Sequence, residues 1–145
     1  MSDFRFSHAI EVRYADIDAQ GHVNNVVYFT YMEQARARYL EHLGLWDGKD
    51  FNALGIILAE ASCTYRAPIR YGQAIDVGVR AARLGKRSFD LVYTVRDAGD
   101  GREMASGRTV VVAYDYTRRE TIPIPEAWRR AIEAFEGIAP SAEAR

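Results

Sequence analysis

Residues 13–28 read R-Y-A-D-I-D-A-Q-G-H-V-N-N-V-V-Y and lie where a strand-like pattern changes to a helical one. Before this stretch, apolar and polar side chains alternate, which predicts a strand over residues 4–14. After it, apolar residues recur every three or four positions, which predicts a helix over residues 26–43 that Gly44 ends. The junction itself holds two carboxylates, a Gln, a His and two Asn within ten residues. The side chains with chemical uses are therefore concentrated at a strand-to-helix junction.

In the rest of the chain, apolar and polar residues alternate, which is the pattern of β-strands. Alternating apolar residues bounded by Gly and Pro predict four more strands, and Pro125 starts a short terminal helix. Consecutive strands joined by short turns favour antiparallel pairing, and a single helix with one apolar stripe must lie across one face of the sheet. The pattern predicts an α+β fold in one domain, residues 1–145, with an ordered core of about residues 4–136. The predicted strands are 54–65, 75–81, 89–95 and 104–116, and the terminal helix is 125–136.

Composition excludes several classes of protein. The chain has 145 residues, of which 48% are hydrophobic, and this is the size of one domain. Its 19 basic and 20 acidic residues are interspersed, so we expect neither nucleic acid nor a membrane as a partner. Cys63 is the only cysteine and excludes an internal disulfide framework. A free thiol and an N-terminus without a signal-peptide core predict a soluble, cytoplasmic protein.

Two motifs resemble a known family. The stretch of residues 13–28, opening a long helix, is similar to the signature of hotdog-fold acyl-CoA thioesterases of the 4-hydroxybenzoyl-CoA thioesterase type. The segment Y-R-A-P-I-R-Y-G-Q at residues 65–73 resembles the strand of that family that ends in a Pro-x-x-x-Gly turn. The matching order of elements extends over about residues 7–123, which is nearly the whole chain.

The resemblance implies both architecture and activity. In that family a strongly curved antiparallel sheet, here of five strands, wraps a long central helix. Two subunits join edge to edge, with active sites between protomers, so a homodimer, or a homotetramer made of two such dimers, is expected. The implied activity is hydrolysis of an acyl thioester of coenzyme A or of acyl carrier protein, with no cofactor beyond the coenzyme A of the substrate. The second acidic residue of the D-x-D pair, Asp18, is implied to carry the chemistry.

Thioester hydrolysis needs a group that attacks or activates water and donors that stabilise the oxyanion. A carboxylate at Asp18 can act as general base or as nucleophile, and the sequence leaves both open. If the helix begins near residues 23–26, its unpaired backbone N–H groups at the positive end of the helix dipole provide the oxyanion site. Gly21 would allow the backbone to approach the thioester closely. Asp16 is interpreted as structural.

Three further polar residues of the junction have two interpretations each. His22 has a pKa near neutrality, and the spacing from Asp18 resembles the D-x-N-x-H arrangement of plant acyl-carrier-protein thioesterases, except that Gln20 replaces the Asn. His22 is therefore either catalytic or a positioning and packing residue. Asn24 either caps the helix or orients water and Asp18, and Asn25 is a cap or a substrate contact. The histidines show no metal-ligand spacing, so no zinc site is expected.

Other candidates lie outside the junction. Glu60 is an acid in an apolar strand and is interpreted as facing the cleft between subunits. In other branches of the fold the acid comes from the helix, where Glu33 is the candidate, but Glu33 is interpreted here as a solvated residue or one paired with Arg36. The turn at residues 86–88 resembles the basic turn that meets the nucleotide phosphates of coenzyme A. The remaining predicted substrate-binding residues are Val26, Tyr28, Lys86, Arg87 and Ser88.

Two other functions fit the same fold. An enoyl hydratase would carry an Asp-x-x-x-x-His signature on a longer loop, which the junction of residues 13–28 lacks. A hotdog domain that binds acyl-CoA without hydrolysing it is the non-enzymatic alternative. Release of thiol from a panel of thioesters separates these functions.

Overall fold

The computed structural model describes residues 3–138. It contains two α-helices and six β-strands, together with short 3-10 turns at Tyr14–Asp16 and Phe51–Ala53. The predicted long helix is confirmed to within one residue at each end. In chain order the elements are β1 (Phe6–Ile10), α1 (Val27–His42), β2 (Ile56–Tyr65), β3 (Ile75–Leu84), β4 (Ser88–Asp97), β5 (Glu103–Asp115), β6 (Glu120–Thr121) and α2 (Glu126–Glu136).

The strands form one curled antiparallel sheet in the order β1-β3-β4-β5-β2, and β6 adds a two-residue pairing to β5. The sheet thus has six strands rather than the five predicted. Consecutive strands pair along β3, β4 and β5, but β2 pairs with β5 and not with β3. The reason is that β3 pairs with β4 on one side and with β1 on the other, so neither side of β3 is left for β2. After β2, which is at one edge of the sheet, the chain therefore crosses to the interior of the sheet.

The first strand is shorter than predicted and ends at Ile10. The backbone N–H of Arg13 donates to Oδ2 of Asp16 at 2.9 Å, and the Asp16 N–H donates to the carbonyl of Arg13 at 2.9 Å. These reciprocal bonds fold residues 13–16 into a 3-10 turn, which cannot continue a β-ladder. The alternating pattern predicted a longer strand because Val12, which lies beyond the end of β1, is buried as a strand residue would be.

Helix α1 lies against one face of the sheet and contacts β1, β2 and β3. Glu33, Gln34 and Arg38 on its other side are at least partly exposed. The curled sheet therefore covers the buried side of the helix, from the edge strand β1 to the edge strand β2, and leaves the other side of the helix exposed. The buried residues of α1 are Tyr28, Tyr31, Met32, Ala35, Tyr39 and Leu40.

Gly107 on β5 permits the close approach of α1 to the sheet. A Cβ at this position would clash with Sδ of Met32, which is 1% exposed, and would lie 3.1 Å from the carbonyl oxygen of Ser62. We expect Gly107→Ala to lower the free energy of unfolding by about 1–3 kcal/mol through overpacking. In urea titrations, Gly107→Ala combined with Met32→Ala should be no less stable than Met32→Ala alone, because the truncation leaves room for the methyl group. Additive losses would contradict this explanation.

Strand β2 forms an edge of the sheet and pairs on one side only within residues 3–138. Its side chains are largely exposed, including Ile57 at 40% and Leu58 at 45%. An apolar edge strand ten residues long is unusual for a surface that faces water. In the part of the chain that the structure describes, no helix combines the length and apolar character needed to cross a membrane.

Candidate active site

A tight loop presents Asp18 at the junction. Ile17 and Val23 form an antiparallel bridge, and within it the Asp18 N–H donates to the carbonyl of His22 at 2.9 Å. The loop closes at Gly21, whose φ of +81° a side chain would strain. A Cβ at Gly21 would meet no protein atom within 4 Å, so within the chain this glycine is required by its backbone conformation.

The carboxylate of Asp18 is half-buried and only partly engaged. Its Oδ1 accepts a hydrogen bond from the Gln20 N–H at 2.9 Å, which is an ordinary turn contact. Its Oδ2 accepts no hydrogen bond from residues 3–138. One oxygen therefore holds the side chain in place, and the other is free to act on a ligand.

The loop is tied to the segment that follows β2. The Val23 N–H donates to the carbonyl of Ile69 at 2.8 Å. The phenol of Tyr65 donates to the carbonyl of Asn25 at 2.6 Å. The two motifs singled out in the sequence, residues 13–28 and 65–73, are thus in direct contact.

Most of the backbone N–H groups near the start of α1 already have partners, which corrects the expectation of a row of free donors. Val23 donates as described, Asn24 donates to the carbonyl of Asp16, and Val27 donates to the carbonyl of Asn24. The Val26 N–H donates to Oδ1 of Asn24 at 2.9 Å, so the Asn24 side chain closes a local turn just before α1. The Asn25 N–H makes no hydrogen bond to residues 3–138. The candidate oxyanion donor of this loop is therefore Asn25.

A cavity of about 340 Å³ opens between this loop, the start of α1 and the end of β2. It brings together four of the predicted site residues, Asp18, His22, Asn25 and Tyr28. The rings of Tyr28 and Tyr65 meet edge to face at 4.9 Å and form an aromatic wall. The lining residues are Asp18, Gln20, His22, Val23, Asn25, Tyr28, Tyr65, Arg66, Ala67 and Pro68.

Some residues that line the cavity were not among the site residues predicted from the sequence. Tyr65, Arg66 and Pro68 belong to the second motif, so their position in that motif was the available signal. Their approach to Asp18 depends on the contact between Val23 and Ile69, which joins segments that are distant in sequence. No local pattern reports such a contact.

Three predicted residues near the junction do not line this cavity. Gly21 and Asn24 shape the loop and the helix start instead. Val26 is 64% exposed and lines a smaller cavity of about 170 Å³ between α1 and β2, together with Glu33 and Arg36. Within one chain, these residues lie next to the site rather than in it.

Glu60 is also not brought to the cavity. It is exposed and lies opposite Val110, whereas its neighbour Ala61 lies opposite the buried Thr109 and faces α1. Because successive side chains of a strand point to opposite faces, Glu60 points away from α1.

The basic turn at residues 86–88 lies at the far end of the sheet. At one end of β4, Ser88 pairs with Val112. At the other end, Val95 pairs with Ala105, which in turn pairs with Tyr65 beside the cavity. Seven residues along β4 correspond to about 23 Å. The turn is anchored there, because Arg87 donates to the carbonyl of Thr121 at 2.8 Å. The single chain does not bring Lys86, Arg87 and Ser88 to Asp18.

Asp16 is buried and fully engaged, in contrast to Asp18. It is 1% exposed, accepts from the Arg13 guanidinium at 2.8 Å, and accepts from the phenol of Tyr31 at 2.8 Å. Burial alone would raise the pKa of Asp16, but the hydrogen bonds from Arg13 and Tyr31 outweigh it and hold this pKa below its usual value. Burial and the same contact raise the pKa of Tyr31. Asp16 therefore fixes the base of the loop.

Asp16→Asn should lower the free energy of unfolding by about 1–3 kcal/mol at pH 7, because a buried charged acceptor is lost. The pKa of Asp16 is lower in the folded state than in the unfolded state, where it is near 3.8, so the ionised carboxylate stabilises the protein at pH values above 3.8. This stabilisation is lost as the pH falls below that value. The difference between wild type and variant, measured by urea unfolding, should therefore shrink between about pH 6 and about pH 3.5. An equal difference at both pH values would mean that the charge of Asp16 contributes nothing.

The donor set of the site is that of carboxylate chemistry. Among residues 3–138 no group of three or more His, Cys, Asp and Glu side chains is arranged to hold a metal ion. What the cavity offers is the half-free carboxylate of Asp18, the unpaired backbone N–H of Asn25 and the imidazole of His22, beside an aromatic wall. These groups can activate a water molecule or attack a carbonyl, and can stabilise a developing oxyanion.

A curled antiparallel sheet with a long helix against one face is the hotdog fold. The chain belongs to the Thioesterase-like superfamily, whose profile matches residues 12–132, and it is a thioesterase. A 1,4-dihydroxy-2-naphthoyl-CoA hydrolase of Thermosynechococcus vestitus is 30% identical over 129 residues, which cover 83% of this chain and 85% of the relative.

Solved structures of thioesterases have the same fold. A Thermus thermophilus thioesterase, complexed with coenzyme A and Zn, is 34% identical with a TM-score of 0.83, and the match covers 96% of this chain and 100% of that chain. A thioesterase-superfamily protein from Jannaschia sp. CCS1 is 27% identical with a TM-score of 0.85, covering 95% of this chain and 87% of that chain. These similarities extend over the sheet, both helices and the junction.

Proposed function

We propose that this protein hydrolyses an acyl-CoA thioester to a free acid and coenzyme A. The observation that carries the proposal is that Asp18 and Asn25 line the same cavity. Oδ2 of Asp18 and the N–H of Asn25 make no hydrogen bond with residues 3–138, so both are available to a ligand. One group supplies the base or nucleophile and the other supplies the oxyanion donor. An acyl thioester bound between them would have its carbonyl carbon near the carboxylate and its oxygen near the amide.

Two reaction routes use this geometry. In the first, Asp18 takes a proton from water, the oxygen attacks the carbonyl carbon, and the C–S bond breaks as the thiolate leaves and is protonated. In the second, Oδ2 attacks the carbonyl carbon, expels the thiolate and forms a mixed anhydride that water hydrolyses. Both routes pass through an oxyanion that the Asn25 N–H can stabilise, and both regenerate the carboxylate.

The remaining groups of the cavity bind and orient the substrate. Tyr28 and Tyr65 form an apolar wall for the acyl group or for the pantetheine arm. The Tyr65 phenol also holds the carbonyl of Asn25, which fixes the peptide plane near the oxyanion donor. His22 lines the cavity and is assigned to positioning the thioester, while Asn24 holds the start of the helix.

Coenzyme A is the proposed carrier because one relative is named as a CoA hydrolase and another was solved with coenzyme A. The turn of Lys86, Arg87 and Ser88 and the acid Glu60 lie far from Asp18 in one chain, so a contribution from them requires a second subunit. The free edge of β2 supports such an assembly, because an apolar strand edge can pair with a copy of itself. We propose a homodimer through β2, located in the cytoplasm.

The dimer is tested by the molecular mass in solution. Ile57→Lys places a charge on the proposed interface and should shift the mass measured by light scattering towards that of a monomer, while the exposed Thr117→Lys should not. A wild-type protein that is monomeric at micromolar concentration would contradict the assembly through β2.

The function is tested by thiol release from a panel of acyl thioesters. The panel should contain short, medium and long aliphatic acyl-CoAs, aromatic acyl-CoAs, and the best acyl group attached to acyl carrier protein. We expect turnover of at least one acyl-CoA. Tight binding of acyl-CoAs without thiol release would instead identify a binding protein, and a preference for the carrier-protein substrate would correct the carrier.

A further inference from the structure

Arg36 is a buried cation with few partners. Its guanidinium lines the smaller cavity between α1 and β2, and its side chain is 11% exposed. One N–H donates to the phenol of Tyr93 at 3.2 Å, and a carboxylate oxygen of Glu33 lies 3.9 Å away. Arg36 makes no other hydrogen bond or ion pair with residues 3–138. Because a guanidinium has five N–H donors, most of them remain for a further partner.

Neither of these two partners balances the charge of Arg36. Burial raises the pKa of Tyr93, so its phenol is neutral at pH 7, and it is also bonded to the hydroxyl of Thr109 at 2.7 Å. The side chain of Glu33 is 73% exposed, so solvent weakens its attraction for Arg36. A cation held out of water without a close counter-ion is costly. An anion that enters the cavity would offset that cost.

The cavity beside the guanidinium has mostly apolar walls. Its volume of about 170 Å³ is similar to that of an apolar cavity of about 150 Å³ that holds a benzene molecule. It shares no lining residue with the larger cavity that Asp18 lines. The space therefore suits an apolar group of the size of a phenyl ring. The apolar lining residues are Val26, Phe29, Met32, Leu58 and Ala61.

A carboxylate with an apolar body matches both properties of this cavity. A planar carboxylate can accept two parallel N–H bonds from a guanidinium, which are stronger than bonds between neutral groups. Its apolar body would be removed from water against the walls. An inorganic anion would leave the apolar walls uncovered, and a neutral amide would not balance the charge of Arg36.

We propose that the cavity lined by Arg36 is a second binding site, which takes a small apolar carboxylate of about the size of benzoate. Two sources present this chemistry, namely a free acid such as hydrolysis releases, and a second carboxylate at the far end of an acyl group. Only the choice between the sources rests on the proposed function. Asn25 lines the larger cavity and Val26 lines the smaller one, so the two cavities are neighbours at the start of α1.

Calorimetry at pH 7 with three probes tests the chemistry of the site. Benzoate should bind the wild-type protein in a saturable manner. Acetate has the charge without the apolar body, and benzamide has the ring without the charge, so both should bind at least roughly tenfold more weakly. Absence of benzoate binding, or equal binding of benzoate and benzamide, would overturn the proposal.

Four variants test the position of the site. Arg36→Gln should weaken benzoate binding at least roughly tenfold, because a charge-assisted hydrogen bond is lost. Ala61→Leu narrows the cavity from β2 and leaves Arg36 in place, so it should weaken binding as well. Glu33→Gln removes the competing carboxylate and should strengthen binding about two- to fivefold. Benzoate binding that is unchanged in both Arg36→Gln and Ala61→Leu would place the ligand elsewhere and overturn the proposal.

The matched control is Arg38→Gln. Arg38 is on the same helix, pairs with Glu41 three residues away, and does not line the cavity. This variant should bind benzoate as wild type does. Light scattering should give the same solution mass for all variants. If binding were lost only together with a change of mass, the cavity would belong to a contact between copies of the chain, and the proposal would be wrong.

Kinetics distinguish the two sources and separate this site from the proposed function. If the ligand is the far end of an acyl group, adipyl-CoA should have a higher kcat/KM than hexanoyl-CoA, and Arg36→Gln should abolish this preference. If the ligand is the free acid, benzoate should inhibit thiol release in wild type and much less in Arg36→Gln. Benzoate binding that depends on Arg36, without thiol release from any thioester, would refute the hydrolysis alone. Thiol release without benzoate binding would refute this site alone.

Discussion

The Asp18→Asn variant is expected to lose about 10²–10⁴-fold in kcat on the best acyl-CoA, because the amide can neither accept a proton from water nor attack the carbonyl effectively. The fold should be retained. The Asn Oδ1 can still accept the hydrogen bond from the Gln20 N–H that holds the side chain. Steady-state thiol release and thermal unfolding, measured on the same preparation, check both expectations.

A turn elsewhere in the chain provides the control for Asp18. Oδ1 of Asp100 accepts from the Arg102 N–H at 2.8 Å, two residues on, as Oδ1 of Asp18 does from Gln20. Asp100 lies in the β4–β5 turn and does not line the cavity. Asp100→Asn should therefore keep full activity. If Asp18→Asn does so too, Asp18 is only a turn residue and the assignment is wrong.

Asn25→Pro is expected to lower kcat by about 10²–10³-fold, the effect of removing one oxyanion donor. The Val27 N–H donates to the carbonyl of Asn24 at 2.9 Å, so residues 24–27 form a turn with Asn25 at its second position. Proline is favoured there, and the N–H it removes has no partner within residues 3–138. The variant should fold like wild type, which circular dichroism and the Tm will show.

Asn25→Ala separates the backbone of this residue from its side chain. It keeps the N–H and removes the amide, so kcat should stay within a few-fold of wild type. If the alanine variant were as slow as the proline variant, the Asn25 side chain would be the important group. If the proline variant were fully active, the oxyanion would have to be stabilised elsewhere.

Much of the fold follows from local patterns in the sequence. The spacing of apolar residues placed α1 within one residue at each end, and alternation located β3, β4 and β5. The pairing of β2 with β5 was not predictable in this way, because it depends on which strand edge is free after β1 has paired with β3. The 3-10 turn was missed for a related reason, since it depends on the side chain of Asp16 and not on hydrophobic period.

The candidate site shows the same division between local and long-range information. The motif containing Asp18 was visible, and the structure brings Asp18, His22, Asn25 and Tyr28 to one cavity. Which backbone N–H remains unpaired was not visible, because the neighbours of Asn25 find their partners at Asp16, Asn24 and Ile69. The assignments of Glu60 and of the turn at residues 86–88 concern an assembly of chains, which no single-chain pattern encodes.

Because only some amides at the start of α1 are hydrogen-bonded, the exchange rate of one amide proton can report whether the cavity is occupied. The Val23 N–H is bonded and its residue is 4% exposed, whereas the Asn25 N–H is unbonded on an exposed residue. In deuterated water the Asn25 proton should be replaced much sooner than that of Val23, since no local opening is needed first. A bound analogue with an oxygen at the oxyanion position should slow this replacement. A single amide signal in an NMR spectrum would then report whether the cavity is filled, without any turnover.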